Sequence, residues 1–286
     1  MTTVSLNISG KIDPKTAAVL EAVNQAAAVL DAPYVIVGAT ARDLVLHYGH
    51  GAPIQRATAD IDFAIEVPSW AAFATFRKAL CEQGFEATKA RHRMISPAKH
   101  IVDILPFGDI ADEHAIIAWP PKGDITMNVL GFQEACSSAE WVRILDRPEV
   151  DVPVATPVGM IVLKLMAWVG RDRVARRKDA LDIAYLLSSY ESIREVQDAL
   201  YSLEFAHVMN RYDWDITQAA AHLLGEKAKD IAQTLTKDEI GRLARGELEG
   251  RALDRLVEEM CEHIDVEHDR NQQLLAAFLA GFGVAV

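Results

Sequence analysis

Arg56-Ala57-Thr58-Ala59-Asp60-Ile61-Asp62-Phe63-Ala64-Ile65 is the stretch on which the reading of the fold turns. Ile61, Phe63 and Ile65 alternate with Asp60, Asp62 and Ala64, the period-two pattern of a strand with one face on a core. Both carboxylates then share the other face. Like charges two residues apart on a strand repel and raise each other's pKa unless a cation or a basic side chain lies between them. One reading is a divalent metal site, because hard carboxylate oxygens suit Mg²⁺ or Mn²⁺. The other is a strand end with both aspartates in water, and for an isolated Asp-x-Asp that is the commoner case.

Upstream, Asp13-Pro14 signals a helix start, and Ala18, Leu20, Val23, Ala27 and Leu30 follow at helical spacing. Tyr34 to Val37 is a short apolar run between Pro33 and Gly38, as a buried strand is. Gly38-Ala39-Thr40 makes the next junction, and Thr40 with Asp43 three residues on resembles a capping box opening a second helix. A strand, a glycine turn and a helix N-terminus together present backbone N–H groups to an anion. Downstream, Pro68 to Cys81 reads as a helix with Trp70, Phe73, Phe76 and Leu80 on one stripe. Glu86 to Ser96 and His100 to Phe107 read as strands, and Thr126 to Phe132 and Trp141 to Leu145 as shorter ones. Asp103 lies in the middle of an otherwise apolar strand. A buried aspartate needs a partner, either a shared cation or an arginine such as Arg91 or Arg93.

From Thr156 onward the pattern is helical: Val158 to Val169, Arg173 to Leu187, Ser192 to Leu203, Thr217 to Gln233, Lys237 to Cys261 and Asn271 to Phe282. Prolines around Val150 to Pro157 mark the expected boundary between a first domain, 1–155, and a helical one, 156–286. Lys164 is the one charge in Ile161 to Trp168. It must snorkel out, pair with a carboxylate or face an anionic ligand. Arg171 falls on the same helix face, and Asp179 and Asp182 are neighbours one helical turn apart. Arg171, Arg173, Arg176, Arg177 and Lys178 crowd one segment, which is a solvated basic face or a phosphate-holding one.

At 286 residues, half of them apolar, the chain supports two modest hydrophobic cores. The apolar run from Leu274 to Val286 is too short to cross a bilayer and reads as a buried helix. No secretory signal is visible at the N-terminus, so a cytoplasmic location without membrane attachment is expected. Cys81, Cys136 and Cys261 are too few and too scattered for a disulfide framework or a CxxC motif. The net charge of −12 argues against a broad basic nucleic-acid surface. From Glu191 to the end, ten Lys and Arg face nineteen Asp and Glu, a balance of −9.

The strand and glycine turn Val37-Gly38-Ala39, the strand Asp60-Ile61-Asp62-Phe63 and the later strand Val102-Asp103-Ile104 together resemble the nucleotidyltransferase superfamily that shares the DNA polymerase β catalytic fold. Lys164-Leu165-Met166-Ala167-Trp168, then Arg171 and Lys178-Asp179-Ala180-Leu181-Asp182, are similar to the AbiEii/AbiGii toxin-like family of type IV toxin–antitoxin and phage-defence systems. The resemblance spans Tyr34 to Leu187. It implies an α+β catalytic domain, with a mixed sheet flanked by helices, followed by an all-helical domain.

It also implies that Asp60, Asp62 and Asp103 are catalytic residues that bind Mg²⁺ or Mn²⁺, with Asp103 activating the acceptor hydroxyl. Gly38, Ala39 and Thr40 would contact the phosphates of an NTP, although Ala39 stands where relatives commonly have Gly or Ser. Lys164, the fourth catalytic residue so implied, would neutralise the triphosphate, helped by Arg171, while Asp179 would orient Lys164 or the acceptor. The nucleotide is then expected to bridge the two domains. Replacing Lys164 by Met is expected to cost little stability.

The activity so implied is transfer of a nucleoside monophosphate from an NTP to RNA, particularly a tRNA end, by a toxin with a cognate antitoxin. A small molecule or a protein hydroxyl is the alternative acceptor, and the acidity favours a small cationic one. A non-catalytic binding member of the fold is a further alternative, set against the retention of three aspartates and Lys164.

Overall fold

A computed structural model describes residues 4–54 and 60–284, with the side chains of 264 and 265 left aside. Residues 56–59 of the decisive stretch thus lie outside the described residues, and its strand begins at Asp60. The chain divides into two units, Met1–Thr156 and Pro157–Val286.

The first unit carries the strands β1 (Val4–Asn7), β2 (Tyr34–Val37), β3 (Asp60–Glu66), β4 (Glu86–Ala87), β5 (Arg93–Ile95), β6 (Ile101–Phe107), β7 (Ile116–Trp119), β8 (Ile125–Asn128), β9 (Glu140–Asp146) and β10 (Glu149–Val154). Its helices are α1 (Pro14–Leu30), α2 (Gly38–Arg42), α3 (Trp70–Glu82) and α4 (Phe132–Ser137). Eight strands form one mixed sheet in the order β1-β9-β10-β2-β3-β6-β5-β4, and β7 and β8 form a separate hairpin. β3 pairs antiparallel with β2 and parallel with β6. All four residues of β2 are buried, which is why that strand reads as an unbroken apolar run rather than an alternation. β3 has its apolar face covered by contrast, with Ile61, Phe63 and Ile65 buried and Asp60 and Asp62 only half-buried.

Helix α1 starts where Asp13 accepts hydrogen bonds from the Lys15 and Thr16 backbone N–H groups, as a good N-cap does. Its buried face is Ala17, Val19, Leu20, Val23, Ala26 and Ala27. Ala18, read as part of that stripe, is exposed. Ser69 caps α3 through the Ala72 N–H. The α3 stripe buries Phe73, Phe76 and Leu80, and the Trp70 ring meets Trp119 of the hairpin at a tilt of 49°, with centroids 5.1 Å apart.

Several boundaries differ from the sequence reading. Thr40 is not a helix cap. The helix already begins at Gly38, with Val37 as its N-cap and no side-chain capping bond, and it passes into a π-helical stretch, Asp43–Gly49. Glu86 to Ser96 is two short strands around a turn at 88–92, not one strand. Phe132 opens α4 instead of closing a strand. Val4–Asn7, Ile116–Trp119 and Glu149–Val154 are strands with no counterpart in the reading. The last of these includes Pro153, which pairs with Trp141.

The second unit is helical: α5 (Pro157–Gly170), α6 (Arg173–Ser189), α7 (Arg194–Leu200), α8 (Ala206–Arg211), α9 (Ile216–Ile231), α10 (Thr234–Ala244), α11 (Leu253–Glu259) and α12 (Ile264–Phe282). The expected long helix from Lys237 to Cys261 is broken, because Gly246 and Gly250 take positive φ between α10 and α11. α9 and α12 pack closely at two glycines. A Cβ on Gly225 would lie 2.0 Å from the Phe278 carbonyl oxygen, and one on Gly281 1.9 Å from that of His222. No helix among the described residues is long and apolar enough to cross a membrane.

Candidate active site

Direct cross-strand pairing sets one row of residues across four adjacent strands. Val37 pairs with Asp62, Asp62 with Asp103, and Asp103 with Arg93. Directly paired residues point to the same face of a sheet, so Asp62, Asp103 and Arg93 stand side by side. Asp60, two residues before Asp62, joins them. One oxygen from each of Asp60, Asp62 and Asp103 lies within 4.8 Å of the other two. At that separation each like-charge pair costs roughly 3 kcal/mol at an effective dielectric of about 20. Such a cluster persists only with cations beside it.

One cation is built in. Arg93 donates from Nε to Asp103 Oδ1 at 2.7 Å and from Nη2 to Oδ2 at 2.6 Å, a bidentate fork. The hydrogen bonds to Asp103, with further attraction from Asp60 and Asp62, hold the guanidinium pKa above its ordinary value against the opposing effect of partial burial. Of the two partners considered for Asp103, the arginine is therefore present in this structure. The fork engages both Asp103 oxygens, so a metal ion there competes with the guanidinium.

The glycine turn closes the row at its other end. Gly38 has φ +70°, and a Cβ there would lie 2.2 Å from Asp62 Oδ2. Glycine is thus needed twice, for the backbone conformation and for the space that Asp62 occupies. Ala39 follows on α2 at intermediate exposure. Thr40 is 6% exposed and donates its hydroxyl to the Asp60 backbone carbonyl at 3.3 Å. Thr40 is thereby a brace between α2 and β3, with its hydroxyl already engaged. Arg42, 3% exposed, forks onto Asp43 at 3.0 and 2.9 Å.

The helical unit holds the other expected residues. Lys164 Nζ lies 3.1 Å from Asp179 Oδ1 and 2.7 Å from Asp182 Oδ2. Arg171 reaches both Asp179 oxygens, at 3.0 and 2.8 Å. Burial alone lowers the Lys164 pKa, but attraction from Asp182 and Asp179 outweighs it and keeps the ammonium charged above the ordinary lysine value. Of the three fates open to Lys164, pairing with carboxylates is the one observed.

The basic run needs a correction at Arg176, which is not on a solvated face. It is 4% exposed, forks onto Glu259 at 2.9 and 3.0 Å, and lies 4.8 Å over the Trp168 ring. Trp168 Nε1 and Arg255 Nε also donate to Glu259. Sequence reasoning gave no signal for this network, because Glu259 lies more than eighty residues beyond its partners on α5 and α6.

Residues 21–277 match the family described as nucleotidyl transferase AbiEii toxin, type IV toxin–antitoxin system. The chain belongs to this family. It is a nucleotidyltransferase, and the match extends beyond both groups of residues just described, through nearly the whole sequence. No curated protein shows significant similarity to it. Among solved structures, the solution structure of the antibiotic-resistance factor ANT(2″)-Ia is similar at 15% identity and TM-score 0.38, covering 82% of this chain and 97% of that one. The crystal structure of ANT(2″)-Ia with adenylyl-2″-tobramycin gives 14% identity and TM-score 0.35, covering 80% and 98%.

Proposed function

We propose that this nucleotidyltransferase moves a nucleoside monophosphate from an NTP to RNA, in particular to a tRNA end, at a divalent-metal site formed by Asp60, Asp62 and Asp103. The convergence of these three carboxylates carries the reading. The donor set fits the ion. Hard oxygens bind Mg²⁺ or Mn²⁺ at about 2.0–2.2 Å, so ligands of one or two such ions lie up to about 5 Å apart. When bound, such ions stabilise the negative charge that gathers on the attacking and leaving oxygens of an in-line displacement.

The protein's own residues have the remaining tasks. Asp103 accepts the proton of the acceptor hydroxyl as the new O–Pα bond forms and the bond from Pα to the bridging oxygen breaks, releasing pyrophosphate. Asp60 and Asp62 fix the metal. Gly38 keeps the turn beside Asp62 open and, with Ala39, offers backbone N–H groups to phosphate oxygens. In the helical unit Asp179 and Asp182 orient Lys164 and keep it charged, and Arg171 steadies Asp179. Growth arrest by such RNA modification, countered by a cognate antitoxin, is the biological role this reading gives the enzyme.

One observation favours a second acceptor class. The net charge of −12 repels RNA and attracts a small cationic molecule. Incubating the protein with Mg²⁺, each α-labelled NTP and total RNA, followed by a gel that resolves RNA from protein, decides between them. Label in a tRNA band supports the proposal. Label confined to protein or to an added cationic small molecule overturns the RNA assignment.

A further inference from the structure

The helical unit shows what a purely structural arginine–carboxylate pair looks like in this protein. The Arg176 and Glu259 side chains are 5% and 6% exposed, and the pair is fixed by Trp168 and Arg255 as well. Arg93 and Asp103 differ. The carboxylate is 11% exposed, but the arginine is 37% exposed, and it stands on a three-residue strand at the end of the row. Asp103 is held in place by its strand, whereas the guanidinium can turn towards solvent.

We infer that Arg93 is the resident counter-ion of the three-aspartate site, held on Asp103 until nucleotide phosphates draw it away, so that metal enters with the nucleotide rather than before it. The inference rests on the metal-site reading above. Arg93 neutralises part of the cluster's charge and engages both Asp103 oxygens, so a divalent cation arriving alone meets like-charge repulsion and a ligand already in use. A phosphate group presents the same paired oxygens to a guanidinium as a carboxylate does. Once a triphosphate is nearby, the fork has an alternative partner, Asp103 is released for the metal and the acceptor proton, and the two ligands favour each other's binding. That coupling is reciprocal by linkage. A clamp that only orients Asp103 has the opposite signature, because its loss would weaken metal binding.

The test is calorimetric titration of Mn²⁺ into wild type, Arg93→Met and Arg93→Lys, alone and with each α,β-methylene NTP, after confirming folding by melting temperature. Arg93→Met is expected to bind Mn²⁺ alone at least about tenfold more tightly than wild type, and to lose most of the gain in Mn²⁺ affinity that nucleotide gives wild type. Arg93→Lys keeps the charge and is expected to stay near wild type. Arg93→Gln carries the same expectation as Arg93→Met and serves if the latter does not fold. Unchanged or weaker Mn²⁺ binding in the folded neutral variants, with wild type still binding Mn²⁺ and nucleotide through Asp62, overturns the counter-ion role and leaves the metal site standing. Absence of Mn²⁺ binding in every protein, with or without nucleotide, overturns the metal site and this inference with it.

Discussion

Asp62 is the residue on which the row converges, paired across strands with Val37 and Asp103 and pressed against Gly38. In the proposed metal site its charge would hold the ion at the expense of like-charge repulsion, so Asp62→Asn is expected to abolish transfer while the melting temperature holds or rises. A fall in stability equal to that of a core deletion would mean that Asp62 is structural. Gly38→Ala is expected to fail differently. A residue with a Cβ at φ +70° is strained by about 1–2 kcal/mol, and the new methyl would displace the Asp62 carboxylate. Lower stability together with much lower transfer is the expected pair of results, read by thermal melting and by label incorporation. Normal activity in Gly38→Ala would show that the turn has slack that the structure does not suggest.

Among the elements, α5 and α6 change the expectation for Lys164. Read from sequence, Lys164→Met costs little, because the methionine keeps the apolar stem. The structure shows Asp179 at 0% and Asp182 at 2% exposure on α6, both held by that ammonium. Removing one partner of a buried ion pair typically costs about 3–5 kcal/mol. Lys164→Met is therefore expected to lower the melting temperature clearly, and adding Asp182→Asn to restore part of it. Glu259 supplies a pH test across α5, α6 and α11. Burial pushes its pKa up, but hydrogen bonds from Arg176, Trp168 and Arg255 outweigh that and hold it below the ordinary glutamate value. A depressed carboxylate stabilises the fold above its unfolded pKa and loses that contribution as pH falls through the folded one. The stability deficit of Glu259→Gln is thus expected to be largest near neutrality and to shrink below about pH 4.5; a pH-independent deficit would contradict it.

These elements also show what the sequence could and could not convey. The alternation around Asp60 and Asp62, the apolar run of β2 and the stripe of α3 carry their periods locally, so they were legible. β10 was not, because Pro153 reads as a breaker although the strand pairs on both sides. The capping role read for Thr40 failed because its hydroxyl has a better partner across the turn, in β3. Asp60, Asp62 and Asp103 could be picked out as residues wanting cations. That Arg93, and not Arg91, meets Asp103 depends on a register that only pairing fixes.

For the molecule as a whole, charge is the property that bears most on the acceptor. With −12 overall, and −9 of that from Glu191 onward, the enzyme repels polyanions over a Debye length that shrinks with salt. Transfer to RNA is therefore expected to rise as ionic strength goes from low to physiological, while transfer to a small cationic acceptor falls. The opposite pair of trends would show that local charge at the site, and not the net charge, governs the approach of the acceptor. The central claim is that the three converging carboxylates carry out metal-dependent nucleotidyl transfer, and the rate of label transfer from α-labelled NTPs to RNA tests it most directly. That rate should be abolished by chelating divalent metal, restored by adding back Mg²⁺ or Mn²⁺, and absent in a folded Asp62→Asn protein at any metal concentration. Transfer that persists in chelator, or at the wild-type rate in Asp62→Asn, would contradict the account.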